Sequence, residues 1–212
     1  AHELGHGYHN YCMYRAGRTE LQQTTPMTLA ETASIMCETI LQNAALKQAA
    51  TPEEELAILE TALVGDSQVV VDIYSRFLFE KEVFERREKA ELSADELCEL
   101  MADAQMQAYG VGLDEQYLQP YMWTWKPHYY STALSFYNFP YTFGLLFGTG
   151  LFAIYQQRGA DFVPEYQQLL ASTGMGSAAD LAARFGIDIR SIEFWRGSLG
   201  ILNRKVERYI QL

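Results

Sequence analysis

The chain has 212 residues and 49% hydrophobic residues, enough to bury a substantial core, so a folded globular protein is the expectation. Sixteen Lys and Arg against twenty-seven Asp and Glu give a formal net charge of −11, and the positive residues form no stripe that tracks a phosphate backbone. Nucleic acid is thereby excluded as an expected partner.

The chain opens AHELGHGYH, placing three of its four histidines in the first nine residues. His2-Glu3-Leu4-Gly5-His6 is an HExxH pattern. On a helix two residues four apart sit about 40° apart around the axis and one turn apart along it, so both imidazoles reach a single ion. Glu3 is rotated off that line, where a carboxylate reaches a metal-bound water without becoming a ligand. Helical ligands normally have a turn of helix before them, so His2 is expected either at a frayed end or behind residues lost upstream. No signal peptide is visible.

Further along, residues 28–49 read as a helix after Pro26. Thr51-Pro52-Glu53-Glu54-Glu55 reads as an N-cap, a first-turn proline and acids at the positive end of a second helix, which runs to about Ala90 with an interruption at Gly65-Asp66. Within it, the run Glu80 to Lys89 reads as a solvated face with mixed i,i+4 pairs and no chemistry. Ser93-Ala94-Asp95-Glu96 is a capping box for a helix ending near Gly110. Residues 111–133 are aromatic and irregular, broken by Pro120 and Pro127. Helices follow at roughly 137–157, 160–172 and 177–185, with a last one from Ile189 to Tyr209. The fold class is all-α, read as one helical domain over 1–212. Cys12, Cys37 and Cys98, odd in number and widely spaced, read as buried free thiols. Tyr129 to Gln157 carries no Asp, Glu, Lys or Arg, yet Asn138, Pro140 and its hydroxyls make it a poor membrane span, and a buried central helix is expected instead.

A catalytic zinc takes three protein ligands and keeps one position for water. The HExxHxxGxxH arrangement is excluded, because His9 and Cys12 occupy its later positions. Glu20 lies in a polar loop. Glu31 is the better third ligand: it sits one turn into the helix after Pro26, among small side chains that let two helices approach closely. Zinc, one ion per chain, would then lie between two packed helices.

HELGHGYH, followed 24 intervening residues after His6 by Glu31 in PMTLAETASIMCE, resembles the oligoendopeptidase F family of zinc metallopeptidases, relatives of thimet oligopeptidase. PHYYSTALSFYNFPYTFG is similar to that family's late histidine- and tyrosine-rich segment, so the likeness covers most of the chain. The resemblance implies the helical C-terminal catalytic half of a channel-type peptidase, with the opposite channel wall supplied by a longer N-terminal region. It also implies an endopeptidase acting on short unfolded peptides, with His2, His6 and Glu31 binding zinc and Glu3 activating water. Aligning FYNFPY with the family's segment points to His128, Tyr137 and Tyr141 as donors to the oxyanion, with Tyr129 and Tyr130 as alternatives. Pro140, where the family usually has glutamine, and Gly144-Leu-Leu-Phe-Gly148 depart from the pattern and leave the choice of tyrosine open.

Glu38, seven residues after Glu31, shares its face two turns on and is a candidate acceptor for a ligand imidazole; a solvated glutamate is the alternative. His9 faces the same side as His2 but roughly 10 Å along the axis, too far for a shared ion; it is a candidate for substrate contact or ligand support, or else a structural histidine. Two further readings compete. One is an inactive zinc- or peptide-binding helical fragment lacking its other wall. The other is a related carboxypeptidase, for which Arg15, Arg18 and Lys126 are too scattered to form a carboxylate anchor. The expected setting is cytoplasmic, with no membrane contact, and truncation would expose an apolar wall that favours self-association.

Overall fold

The computed structural model describes residues 1–133 and 137–212; Leu134, Ser135 and Phe136, in the tyrosine-rich segment, lie outside the described residues. Helices α1 (His2–Arg15), α2 (Met27–Ala30), α3 (Thr32–Gln48), α4 (Pro52–Ser67), α5 (Ile73–Arg87), α6 (Ala94–Tyr109), α7 (Phe139–Arg158), α8 (Val163–Ala171), α9 (Ala178–Ala183) and α10 (Ile192–Gln211) make up the regular structure, and no strand occurs among the described residues. The all-α expectation holds. No helix among them is long and apolar enough to cross a membrane.

The chain divides into two compact units: residues 1–66 with 143–212, and residues 67–142. In the first, α1 packs against both α3 and α8. Its core joins Cys12, Leu29, Ala33 and Met36 to Phe147 and Leu151 of α7 and to Leu169, Leu170 and Leu181 beyond. The uncharged stretch thus supplies a buried helix, as expected. Its glycines allow close contact: a methyl on Gly148 would lie 2.8 Å from Ile35 Cγ2, and one on Gly150 2.5 Å from Phe194 Cζ. Lys205 pairs with Asp66 at 2.9 Å in a nearly buried bridge from α10 to α4.

In the second unit α5 packs on α6, whose capping box forms as expected, with Ser93 Oγ accepting from the Glu96 amide at 3.3 Å. Phe79, Val83, Leu100, Met101 and Ala104 form the core, covered by Leu97, Met122, Trp123 and Tyr129. Residues 110–129 form a series of short 3-10 turns, matching the irregular aromatic segment expected there.

Three features differ from the sequence reading. The helix expected over 28–49 breaks at Glu31, whose φ of −88° and ψ of 3° end α2 and begin α3. Gly65 and Asp66 interrupt nothing: α4 runs through them, because Asp66 is anchored by Lys205, and a π turn follows at Gln68–Asp72. The run from Glu80 to Lys89 is solvated only in part. Lys81–Glu85 and Glu82–Arg86 are surface i,i+4 pairs, but Glu80 is 5% exposed. All three cysteines are free, with Cys12 buried and Cys37 and Cys98 half-buried.

Candidate metal centre

His2 and His6 occupy successive turns of α1, so their rings stack edge to face at 4.7 Å. Between them in sequence, Gly5 meets the start of α3 at a distance no side chain permits: a Cβ there would lie 2.5 Å from the Ala33 carbonyl oxygen. This contact brings Glu31 to the histidines. Gly144 of α7 closes on it from another side, where a Cβ would lie 2.6 Å from Glu31 Cβ. The break in the helix at Glu31 turns its side chain toward α1, and Ser34, fully buried, donates its hydroxyl to Glu31 Oε2 at 2.7 Å and lies 3.0 Å from the Glu31 carbonyl.

The outcome is a convergent triad. His2 Nε2 is 3.1 Å from His6 Nε2 and 3.3 Å from Glu31 Oε2, and His6 Nε2 is 3.6 Å from Glu31 Oε2. Ligand atoms about 2.0–2.1 Å from a tetrahedral zinc lie roughly 3.3–3.4 Å from one another, so the donor set has the size of one zinc face. Chemistry agrees with size. His2 Nδ1 lies 2.9 Å from Glu38 Oε1; with the proton on Nδ1 donated to that carboxylate, Nε2 presents its lone pair to the triad. A proton on His6 would bridge one pair of these atoms; a cation reconciles all three. Among the described residues, His2, His6 and Glu31 form the group of such side chains suited to holding a metal ion. Each is partly open to solvent, with side-chain exposures of 38%, 33% and 23%, which leaves the centre approachable.

Glu3 is exposed beside His2 on α1. His9 is not part of this centre. Its ring is 2% exposed, Nε2 is 2.8 Å from Thr173 Oγ1, and burial pulls its pKa down to about 4, so it is a neutral core histidine joining α1 to the end of α8. Ser34, Gly5 and Gly144 escaped the sequence reading as site residues, although Gly5 stood inside the motif.

In the second unit, His128, Tyr137 and Tyr141 form a cluster of rings. Tyr141 Oη lies 3.4 Å from His128 Nε2, and the ring centres are 5.4 to 6.2 Å apart. Burial, then Arg76 and Lys126, lower the pKa of His128, favouring the neutral ring. The alternatives differ from these: Tyr129 is held against Phe79 with its hydroxyl buried, and Tyr130 is exposed.

The profile of peptidase family M3 matches residues 1–201. An oligoendopeptidase F homolog of Lactococcus lactis subsp. lactis is 25% identical over 219 residues, covering 100% of this chain and 36% of that protein. A protein of Chlamydophila abortus has a crystal structure matching 98% of this chain and 34% of its own, at TM-score 0.84 and 22% identity. The crystal structure of oligoendopeptidase-F from Enterococcus faecium matches 99% of this chain and 37% of its own, at TM-score 0.80 and 20% identity. The chain thus spans about a third of the length of the curated relatives it matches. With a profile match running through both units, the chain belongs to peptidase family M3 and is a relative of oligoendopeptidase F.

Proposed function

We propose that this chain is the catalytic part of a zinc endopeptidase that hydrolyses short unfolded peptides, and that its two units serve one catalytic domain of a longer protein. The observation that carries this reading is the convergence of His2, His6 and Glu31 at zinc-ligand spacing, with Glu38 behind His2. His2, His6 and Glu31 would hold the zinc, which would supply Lewis acidity for activating a water and the scissile carbonyl. The protein does the rest. Glu38 fixes the tautomer and orientation of His2, and Ser34 restrains the carboxylate of Glu31. Glu3 takes the proton of the attacking water and passes it to the leaving amine nitrogen. Its exposure fits a group that meets solvent and substrate.

For the oxyanion we assign His128, Tyr137 and Tyr141 on the family resemblance. Phenols donate at neutral pH without adding charge, and a neutral imidazole donates from one nitrogen. Peptides, rather than nucleic acid, suit a chain of net charge −11.

A second reading is an inert zinc- or peptide-binding helical module, in which the same centre binds without turnover. A quenched fluorescent peptide, assayed on this chain and on a longer chain that includes the upstream region, separates the two readings. In whichever form is active, Glu3→Gln should retain zinc and lose roughly 10²–10⁴-fold in turnover. Undiminished turnover in that variant would refute the role of Glu3. Absence of activity in both forms would refute the peptidase reading and leave a binding module.

A further inference from the structure

The 67–142 unit buries charged side chains that the proposed reaction does not use. Asp72, Arg76 and Glu80 recur every four residues from the end of the π turn along α5, and so share a face. Arg76 and Glu80 are each 5% exposed. Arg76 pairs with one carboxylate oxygen of Asp72, and the other accepts the Tyr109 hydroxyl at 3.1 Å. Asn138, fully buried, is held between the two remaining charges. Its Oδ1 accepts from Arg76 Nη1 at 3.3 Å and its Nδ2 donates to Glu80 Oε1. Burying so many charges is costly where a plain apolar core would serve, and π turns recur at functional sites.

What these groups hold is the ring cluster. Asn138 follows Tyr137 directly, and its carbonyl accepts the Tyr141 amide at 3.1 Å as α7 opens. Thr142 Oγ1 donates to the Val69 carbonyl at 3.0 Å, tying the next residue to the π turn. On the other side of the cluster, Tyr129 follows His128 and packs on Phe79, the neighbour of Glu80, at 5.4 Å between ring centres. Both segments that carry the rings are therefore fixed to α5.

We propose that Asn138, clamped between Arg76 and Glu80, is the positioning residue of the His128, Tyr137 and Tyr141 cluster, and that the Glu80 carboxyl is the group through which pH reaches it. The catalytic meaning of the cluster rests on the function proposed above; its positioning does not. The groups facing Glu80 are Arg76 on its own helix, Asn138 ahead of α7 and Tyr129 from the 3-10 turn, with Asp72 and Tyr109 beyond Arg76. Burial pushes the Glu80 carboxyl up to about 7, against the opposing pull of Asn138 and Arg76. Below that pH the group is a neutral acid. Above it, a carboxylate strengthens the bond from Asn138 by charge assistance and offsets the Arg76 charge that disfavours the imidazolium of His128. As Glu80 ionises, His128 becomes more basic, while the buried charge lowers the stability of the unit.

Histidine-ring carbon–proton NMR across pH 4.5 to 9, on the intact protein supplied with zinc, reads this directly. Besides its own titration, His128 should show a second step centred near pH 7, which Glu80→Gln removes while far-UV circular dichroism stays unchanged. No second step in the wild type, or the same step in Glu80→Gln, would overturn the role of Glu80. Asn138→Ala should abolish the cross-relaxation between the His128 and Tyr141 rings at every pH, and its persistence would overturn the positioning. Zinc content is scored separately: an empty metal centre with these ring signals intact would sink the peptidase reading and leave the clamp standing.

Discussion

In the unit formed by residues 1–66 and 143–212, the polar centre of interest is half open, and its imidazoles and carboxylate converge on one point. In the 67–142 unit the charged groups are closed off, and each is paired with another protein group: Arg76 with Asp72 and Asn138, Glu80 with Asn138. The first arrangement gathers two imidazole nitrogens and a carboxylate oxygen at one point, a donor set that could hold a metal ion. The second pairs its charges within the protein, although Arg76 Nε is left without a hydrogen-bond partner among the described residues. Convergent acceptors at the surface mark a ligand site, whereas alternating donors and acceptors in a core mark a scaffold.

The sharpest way to break this contrast is at Tyr141. If the ring cluster acts only on the developing oxyanion, Tyr141→Phe in the active enzyme should lower turnover by about 10²–10³-fold, the scale of one lost oxyanion donor, and leave zinc content unchanged. A loss of zinc in that variant would erase the division of labour between the units.

pH distinguishes the units by sign. His9, in the first unit, has a folded pKa of about 4, below its unfolded value, so its contribution to stability is present above roughly 6.5 and is lost as pH falls through 4. Glu80, in the second, has a folded pKa of about 7, above its unfolded value, so its contribution is present below roughly 4.5 and is lost as pH rises through 7. Each shift corresponds to about 3 kcal/mol. Hydrogen exchange followed segment by segment should therefore show the first unit loosening in acid and the second loosening as pH passes 7, with Glu80→Gln cancelling the second effect. Parallel pH profiles in the two units would contradict the assignment.

A smaller effect is expected at Glu38, which supports His2 without reaching the triad's centre. Glu38→Gln should weaken zinc binding by about 10–100-fold, the usual cost of removing a ligand's outer partner. Unaltered affinity would make it the solvated glutamate that the spacing alone also allows.

How much of this was legible in the sequence follows the same line. The triad was readable because its geometry is local: a four-residue spacing fixes His2 and His6, and Glu31 follows in a stretch of small residues. The break at Glu31 was not, since it depends on packing against Gly5 and Gly144 and on the bond from Ser34. Heptad spacing made Glu38 a candidate, and the structure places it on His2 Nδ1. His9 satisfied the same spacing argument, but α8 covers that turn of α1 and Thr173 takes its ring. The buried clamp was hidden because acids and bases four apart on a helix ordinarily mark a solvated face. Glu80 shares the buried face of Ile73 and Val83, which Glu82 and Glu85 do not, but its partner lies fifty-eight positions away, at Asn138.

The central claim is that His2, His6 and Glu31 form one metal centre, and equilibrium zinc titration against a chromophoric chelator tests it most directly. Wild-type protein should take up one zinc per chain, and Glu31→Ala, with its helical content intact, should bind far more weakly. A wild type that takes up no zinc, or a variant that binds it as tightly, would contradict the account.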